Sequence, residues 1–170
     1  MPHNISKVSN SIKYRKTAND VFITPQELSK KHINMIDEKY KDAIWFDPFR
    51  NTGSYYNNFP PTCEKKWTEI LDGEDFFHFN EKVDVICSNP PFSILNDVIK
   101  KCIELNPAVI SLLVGQLNLI PKRIHLLEQN GYVITKLHIT RIKKWFGNSY
   151  LVVWEKTDAK PLITYCLEEH

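Results

Sequence analysis

The run Ser88-Asn89-Pro90-Pro91-Phe92, directly after the candidate buried strand 83–87, gathers the residues best suited to chemistry. The side-chain oxygen of Asn89 and the carbonyl of Pro90 are hydrogen-bond acceptors. Two successive prolines hold φ at about −65° and remove amide donors, so the run presents its carbonyls rigidly and without competing hydrogen bonds. Phe92 adds a flat apolar face. Fixed acceptors beside an aromatic ring suit the hydrogens of an amino group on a planar system. The same residue types also build ordinary strand-to-helix turns, so the run needs partners before it signifies a site.

Those partners are polar residues at the ends of other apolar runs. Asp47 follows 43–46 and opens Asp47-Pro48-Phe49-Arg50-Asn51-Thr52-Gly53-Ser54, a loop with the small residues that let backbone approach a ligand. Glu69 lies near the end of a second candidate strand, 66–70. If the strands form one parallel sheet, these ends converge on one rim, where ligands of open α/β sheets bind.

The elements that must position them follow from pattern. Thr24-Pro25-Gln26-Glu27 reads as a helix start, with Thr24 as cap, Pro25 in the first turn and Glu27 closing a capping box, and the helix is expected over 25–40. The short, largely apolar runs 43–46, 83–87 and 108–114 have the character of strands buried on both faces. Ile94, Leu95, Val98, Ile99, Cys102 and Ile103 recur at helical spacing behind Ser93, a natural cap. A further helix is expected over 121–129, stopped by Asn130-Gly131, and two last strands over 132–142 and 150–155 form an antiparallel hairpin. Alternation of this kind predicts an α/β fold with a doubly wound, mostly parallel sheet.

On these residues the chain resembles the adenine-amino methyltransferases that use an Asn/Asp-Pro-Pro-aromatic motif, in particular small, phage- or virus-like members without a target-recognition domain. The resemblance covers roughly residues 17–155 and implies a Rossmann-like methyltransferase fold that uses S-adenosylmethionine. It implies that Asn89 and Pro90 accept from the adenine amine, with Pro91 and Phe92 completing the catalytic motif and Phe92 stacking on an extruded base. Thr24-Pro25 resembles the element abutting the methionine part of the cofactor, and Asp47-Pro48-Phe49 through Gly53 the cofactor loop. Glu69 resembles the acid that holds the ribose hydroxyls, and Asp75-Phe76-Phe77 the element flanking the cofactor adenine. Read by themselves, Glu69 and Asp75 are equally well solvated surface acids.

Two departures stand out. Where the family loop commonly has two glycines separated by one residue, this chain has Asn51-Thr52-Gly53. Asn is the non-glycine residue most tolerant of positive φ, so the turn is expected to survive. Only residues 71–82 separate Ile70 from the next strand, so the usual third strand and its helix are expected to be trimmed.

The loop of the last hairpin carries Lys143, Lys144, Trp145 and Phe146, which either offer a stacking surface and phosphate contacts to substrate or close the edge of the core. Residues 1–16 hold Lys7, Lys13, Arg15 and Lys16 and no acid, and form either a basic arm for a phosphate backbone or a solubilising terminus. The methyltransferase domain is then 17–170.

Composition limits the alternatives. A chain of 170 residues, 42% hydrophobic and 25% charged, fits one globular domain. Its longest apolar stretch, 108–114, is far short of the roughly 20 residues of a membrane span, and no signal-peptide core opens the chain, so an intracellular, non-secreted protein is expected. Cys63, Cys87, Cys102 and Cys166 are widely separated, which gives neither a zinc cluster nor a disulfide framework. In-line methyl transfer needs no metal.

The expected activity is therefore methyl transfer to adenine nitrogen in nucleic acid, DNA before RNA. The same motif also serves protein glutamine and ribosomal guanine methyltransferases. A third reading is a non-catalytic subunit that binds nucleic acid or a partner, kept open by Asn51. Without a recognition domain, a homodimer or partner subunit is expected to supply target choice.

Overall fold

A computed structural model describes residues 22–167 except residues 144 and 146. Strand β1 (Ile44–Asp47) sends Trp45 and Phe46 into hydrophobic clusters on opposite faces of the sheet, because neighbouring strand residues point opposite ways. Strand β2 (Glu64–Trp67) and strand β3 (Val85–Ser88) pair parallel to β1 on either side, and strand β4 (Val109–Gly115) pairs parallel to β3. Strands β5 (Tyr132–Thr140) and β6 (Ser149–Lys156) form the antiparallel hairpin, with β6 inserted against β4. The sheet order is β2-β1-β3-β4-β6-β5.

Helix α1 (Gln26–Ile33) contributes Ile33 to the cluster that holds Trp45, Val85, Cys87 and Val153. Helices α2 (Leu95–Leu105) and α3 (Pro121–Glu128) cover the other face, where Val98, Ile99, Cys102, Ile124 and Leu127 pack on Phe46, Ile86, Leu112 and Trp154. The sheet is thus wound on both faces. Val85, Ile86, Leu112 and Leu113 are completely buried, each worth about 1.5–3 kcal/mol of transfer free energy.

Several boundaries differ from the sequence-based expectation. The first helix ends at Ile33; Asp37 turns extended, its side chain accepts from the amide of Lys39 at 2.9 Å, and a separate 3-10 turn follows at Glu38–Tyr40. Its start also lacks the capping box: Pro25 is the cap residue and no side chain caps it, while Glu27 pairs with Lys30 at the surface. The second strand lies at Glu64–Trp67, earlier than 66–70, because β1 offers four residues for pairing and these meet Glu64 to Trp67. Ser93 does not cap α2; a 3-10 turn at Phe92–Ile94 leads into it, with Ile94 at the cap. Among the described residues no strand lies between β2 and β3, so β2 forms the edge and the sheet is trimmed where the third strand was expected to be missing.

Candidate active site

β1 and β3 are neighbours, so their carboxyl ends, Asp47 and Ser88, lie side by side. The Ser88 hydroxyl donates to Asp47 Oδ1 at 2.6 Å, and both residues are fully buried. Asp47 also accepts from the amides of Phe49 and Tyr56, each at 3.3 Å. Its carboxylate therefore braces the loop from within. Burial pushes the Asp47 pKa up to about 7; donation by Ser88, Phe49 and Tyr56 opposes this, and the charge of Glu69 adds to it.

The loop itself turns on two left-handed residues, Asn51 at φ 48° and Gly53 at φ 87°. At φ 87° a side chain at position 53 would be strained, and its Cβ would stand 2.7 Å from Asn57 Nδ2, which would have to shift. Asn51 holds the conformation expected of it, and its amide donates to Glu69 Oε2 at 2.8 Å. Glu69 accepts also from the amide of Leu71 at 3.3 Å and is nearly buried, so it is no solvated acid. Its carboxylate anchors the loop to the end of β2, with further lone pairs on the same oxygens. Asp75 caps a 3-10 turn by accepting from Phe77, and Phe76 is a core residue packed edge-on to Phe49 at 5.3 Å.

One cleft collects most of the remaining candidates. It encloses about 500 Å³, counting the space open to solvent, and is lined by Thr24, by Phe49 and Asn51 of the loop, and by Asn89 through Phe92. Pro90 and Pro91 are buried, which fixes the motif at the mouth of β3. Phe92 packs against Gly115, where an added Cβ would lie 3.1 Å from Phe92 Cε2. Asn89 donates through Nδ2 to Thr24 Oγ1 at 3.2 Å and to the Phe22 carbonyl at 3.4 Å. Thr24 is buried while Pro25 is exposed. Asp47, Pro48, Gly53, Glu69, Asp75 and Phe76 are not among the described residues that line this cleft.

Trp145 reaches the same side of the molecule, its ring 5.2 Å from that of Phe22, and Lys143 is exposed nearby in sequence. Lys144 and Phe146, like the basic segment 1–16, lie outside the described residues. Among the described residues no group of three His, Cys, Asp or Glu is arranged to hold a metal ion, and no helix is long and apolar enough to cross a membrane.

The sequence did not disclose a buried polar chain beneath the cleft. His32 Nδ1 lies 2.9 Å from the Tyr55 hydroxyl and His32 Nε2 lies 2.8 Å from Ser111 Oγ. Burial lowers the His32 pKa to about 3, partly offset by a backbone hydrogen bond at Val152, so the ring is neutral. Ser29 adds a second tie by donating to the Ser54 carbonyl at 2.6 Å. Ser29 and His32, three apart on one face of α1, were the available signal.

No family model matches the chain, and no curated protein matches its sequence. Solved structures do share its architecture. The Mtq2-Trm112 complex of E. cuniculi, responsible for methylation of the eRF1 translation termination factor, superposes with a TM-score of 0.64 at 17% identity, covering 81% of this chain and 99% of that one. A dimethyladenosine transferase from Plasmodium falciparum gives 0.62 at 14% identity over 81% of this chain and 64% of that one. M. jannaschii TYW2 in complex with AdoMet gives 0.50 at 15% identity over 81% and 79%. The chain has the Rossmann-like fold of these methyltransferases, closed by an antiparallel carboxyl-terminal hairpin.

Proposed function

We propose that the chain transfers a methyl group from S-adenosylmethionine to the exocyclic amino group of adenine in nucleic acid, DNA in preference to RNA. The observation that carries this reading is that Asn89-Pro90-Pro91-Phe92 and the loop after β1 line one cleft. The residues present fit the cofactor: the loop turns through left-handed Asn51 and glycine at 53, as close backbone approach to a ligand requires. Thr24, Phe49 and Asn51 would hold it from the cleft wall, with Asp47 and Glu69 fixing the loop. When bound, S-adenosylmethionine would supply a methyl carbon on a sulfonium, open to in-line displacement with the neutral thioether as leaving group.

The chain's part is then positioning. An adenine amine is a weak nucleophile because its lone pair is delocalised into the ring. Asn89 Oδ1 and the Pro90 carbonyl accept its two hydrogens and favour the tetrahedral nitrogen that attack requires. Phe92 stacks on the base, and one amine proton leaves to solvent after the new bond forms. Lys143, Lys144, Trp145 and Phe146 contact the flanking strand, and segment 1–16 contacts phosphates. A homodimer or partner subunit supplies target choice, a reading supported by the partnered state of the E. cuniculi structure.

That same structure favours a second reading, a protein side-chain amide as acceptor, since the complex is responsible for methylating a protein factor. Incubation with labelled methyl donor and separate DNA, RNA and protein pools, followed by nucleoside and amino-acid analysis, tests both. Label in N6-methyladenine is the expected result. Label confined to protein would replace the first reading by the second, and no label in any pool would remove both.

A further inference from the structure

A carboxamide in an acceptor role has a handedness problem. Its oxygen and nitrogen are nearly the same size, and rotation by 180° about the last side-chain bond exchanges an acceptor for a donor. Asn89 is useful to an incoming amine only with Oδ1 toward it; with Nδ2 there, two donors face each other.

The neighbours of Asn89 decide which end points where. The Phe22 carbonyl is 3.4 Å and Thr24 Oγ1 is 3.2 Å from the same terminal atom of Asn89. A backbone carbonyl accepts and never donates, so that terminal atom must be the NH2 group. Its two hydrogens match the two acceptors. Among the described residues Oδ1 has no partner, and Asn89 lines the cleft. Thr24 is buried, at 5% exposure, so its hydroxyl oxygen is held in place.

We infer that Thr24 is a positioning residue that fixes the side-chain amide of Asn89 with its oxygen presented to the methyl acceptor. The inference rests on the role given to Asn89 above, and it assigns Thr24 a duty distinct from contact with the cofactor. The Phe22 carbonyl assists through the backbone. The segment 22–24 thereby carries orientation information for a residue 65 positions away in sequence.

The test uses the full chain as wild type, Thr24→Ser and Thr24→Val, with Asn89→Ala to assign the Asn89 side-chain amide signal in 15N spectra. Valine keeps the shape and removes the acceptor; serine keeps the acceptor. In the wild type and Thr24→Ser the Asn89 amide protons are expected to exchange slowly with solvent, and in Thr24→Val quickly. With a DNA oligonucleotide containing adenine, Thr24→Val is expected to lower kcat about tenfold, while Thr24→Ser stays within about twofold. An unchanged amide signal in Thr24→Val overturns the inference, as does a rise in cofactor KM with kcat intact. A wild-type protein that methylates nothing removes the reading of function, while the amide exchange still decides whether Thr24 orients Asn89.

Discussion

The hydroxyl of Ser88 and the carboxyl of Asp47 meet at 2.6 Å, fully buried, and so join the last residue of β3 to the last residue of β1. On one side of this bond the chain continues into Asn89-Pro90-Pro91-Phe92, on the other into the loop 48–55. The two halves of the cleft share one internal tie.

Ser88→Ala should loosen both halves together. Asp47 would keep two amide contacts at 3.3 Å and lose its short one, a change expected to cost about 1–3 kcal/mol. Urea denaturation reads the stability, and calorimetric titration with S-adenosylmethionine should show weaker binding. Unaltered values in both measurements would mean that the bond carries no structural weight.

Stability against pH should reveal two opposed groups. Asp47 is raised from an ordinary 3.8 to about 7, so folding favours its protonated form; the stability it contributes is complete below pH 3.8 and is lost as pH rises through about 7. His32 is lowered from 6.5 to about 3, so its contribution is complete above pH 6.5 and is lost as pH falls toward 3. From about pH 4 to 6.5 these slopes oppose each other. Asp47→Asn is expected to leave a stability that rises with pH in that window, and His32→Gln one that falls. Identical slopes in the two variants, from denaturation at fixed ionic strength, would rule this out.

The left-handed turn at Asn51 makes a graded series. Asn51→Gly should bind cofactor at least as well as wild type, whereas Asn51→Val, a β-branched residue at φ 48°, should cost about 1–2 kcal/mol and weaken binding. Binding isotherms for the pair check this, and equal affinities would show that the loop is free to reshape.

Asn89→Ala removes one proposed acceptor without touching the loop. Turnover should fall at least about a hundredfold while the Kd for S-adenosylmethionine stays near that of wild type. Retained turnover would remove Asn89 from the chemistry.

Much of the frame was legible because local pattern and tertiary role agree there. The apolar runs around Phe46, Ile86 and Leu112 read as strands buried on both faces, and they are. Asn51 was legible because a single dihedral decides its use. Thr24 misled, since the same hydroxyl suits a helix cap and a distant amide, and only the fold brings Asn89 to it. Glu69 reads equally as a site acid or a solvated one in sequence, and only the fold shows it nearly buried and accepting from the amides of Asn51 and Leu71. The chain of Ser111, His32 and Tyr55 joins three elements with no sequence proximity, so beyond the spacing of Ser29 and His32 on α1 no local signal marked it. Gly115 has an ordinary strand context and acquires meaning only from the ring of Phe92.

Strand β6 bears on how the protein is made. Every described residue lining the Asn89 cleft falls between Phe22 and Phe92, yet β4 finds its second neighbour only when residues 149–156 emerge. Until then Val109 through Val114 line an open, apolar strand edge, the kind that pairs promiscuously with other chains. A polypeptide halted between β4 and β6 therefore carries all the described lining residues of the cleft on a sheet prone to aggregate. Synthesis to Lys156 is what converts that stretch from a liability into the middle of a finished sheet.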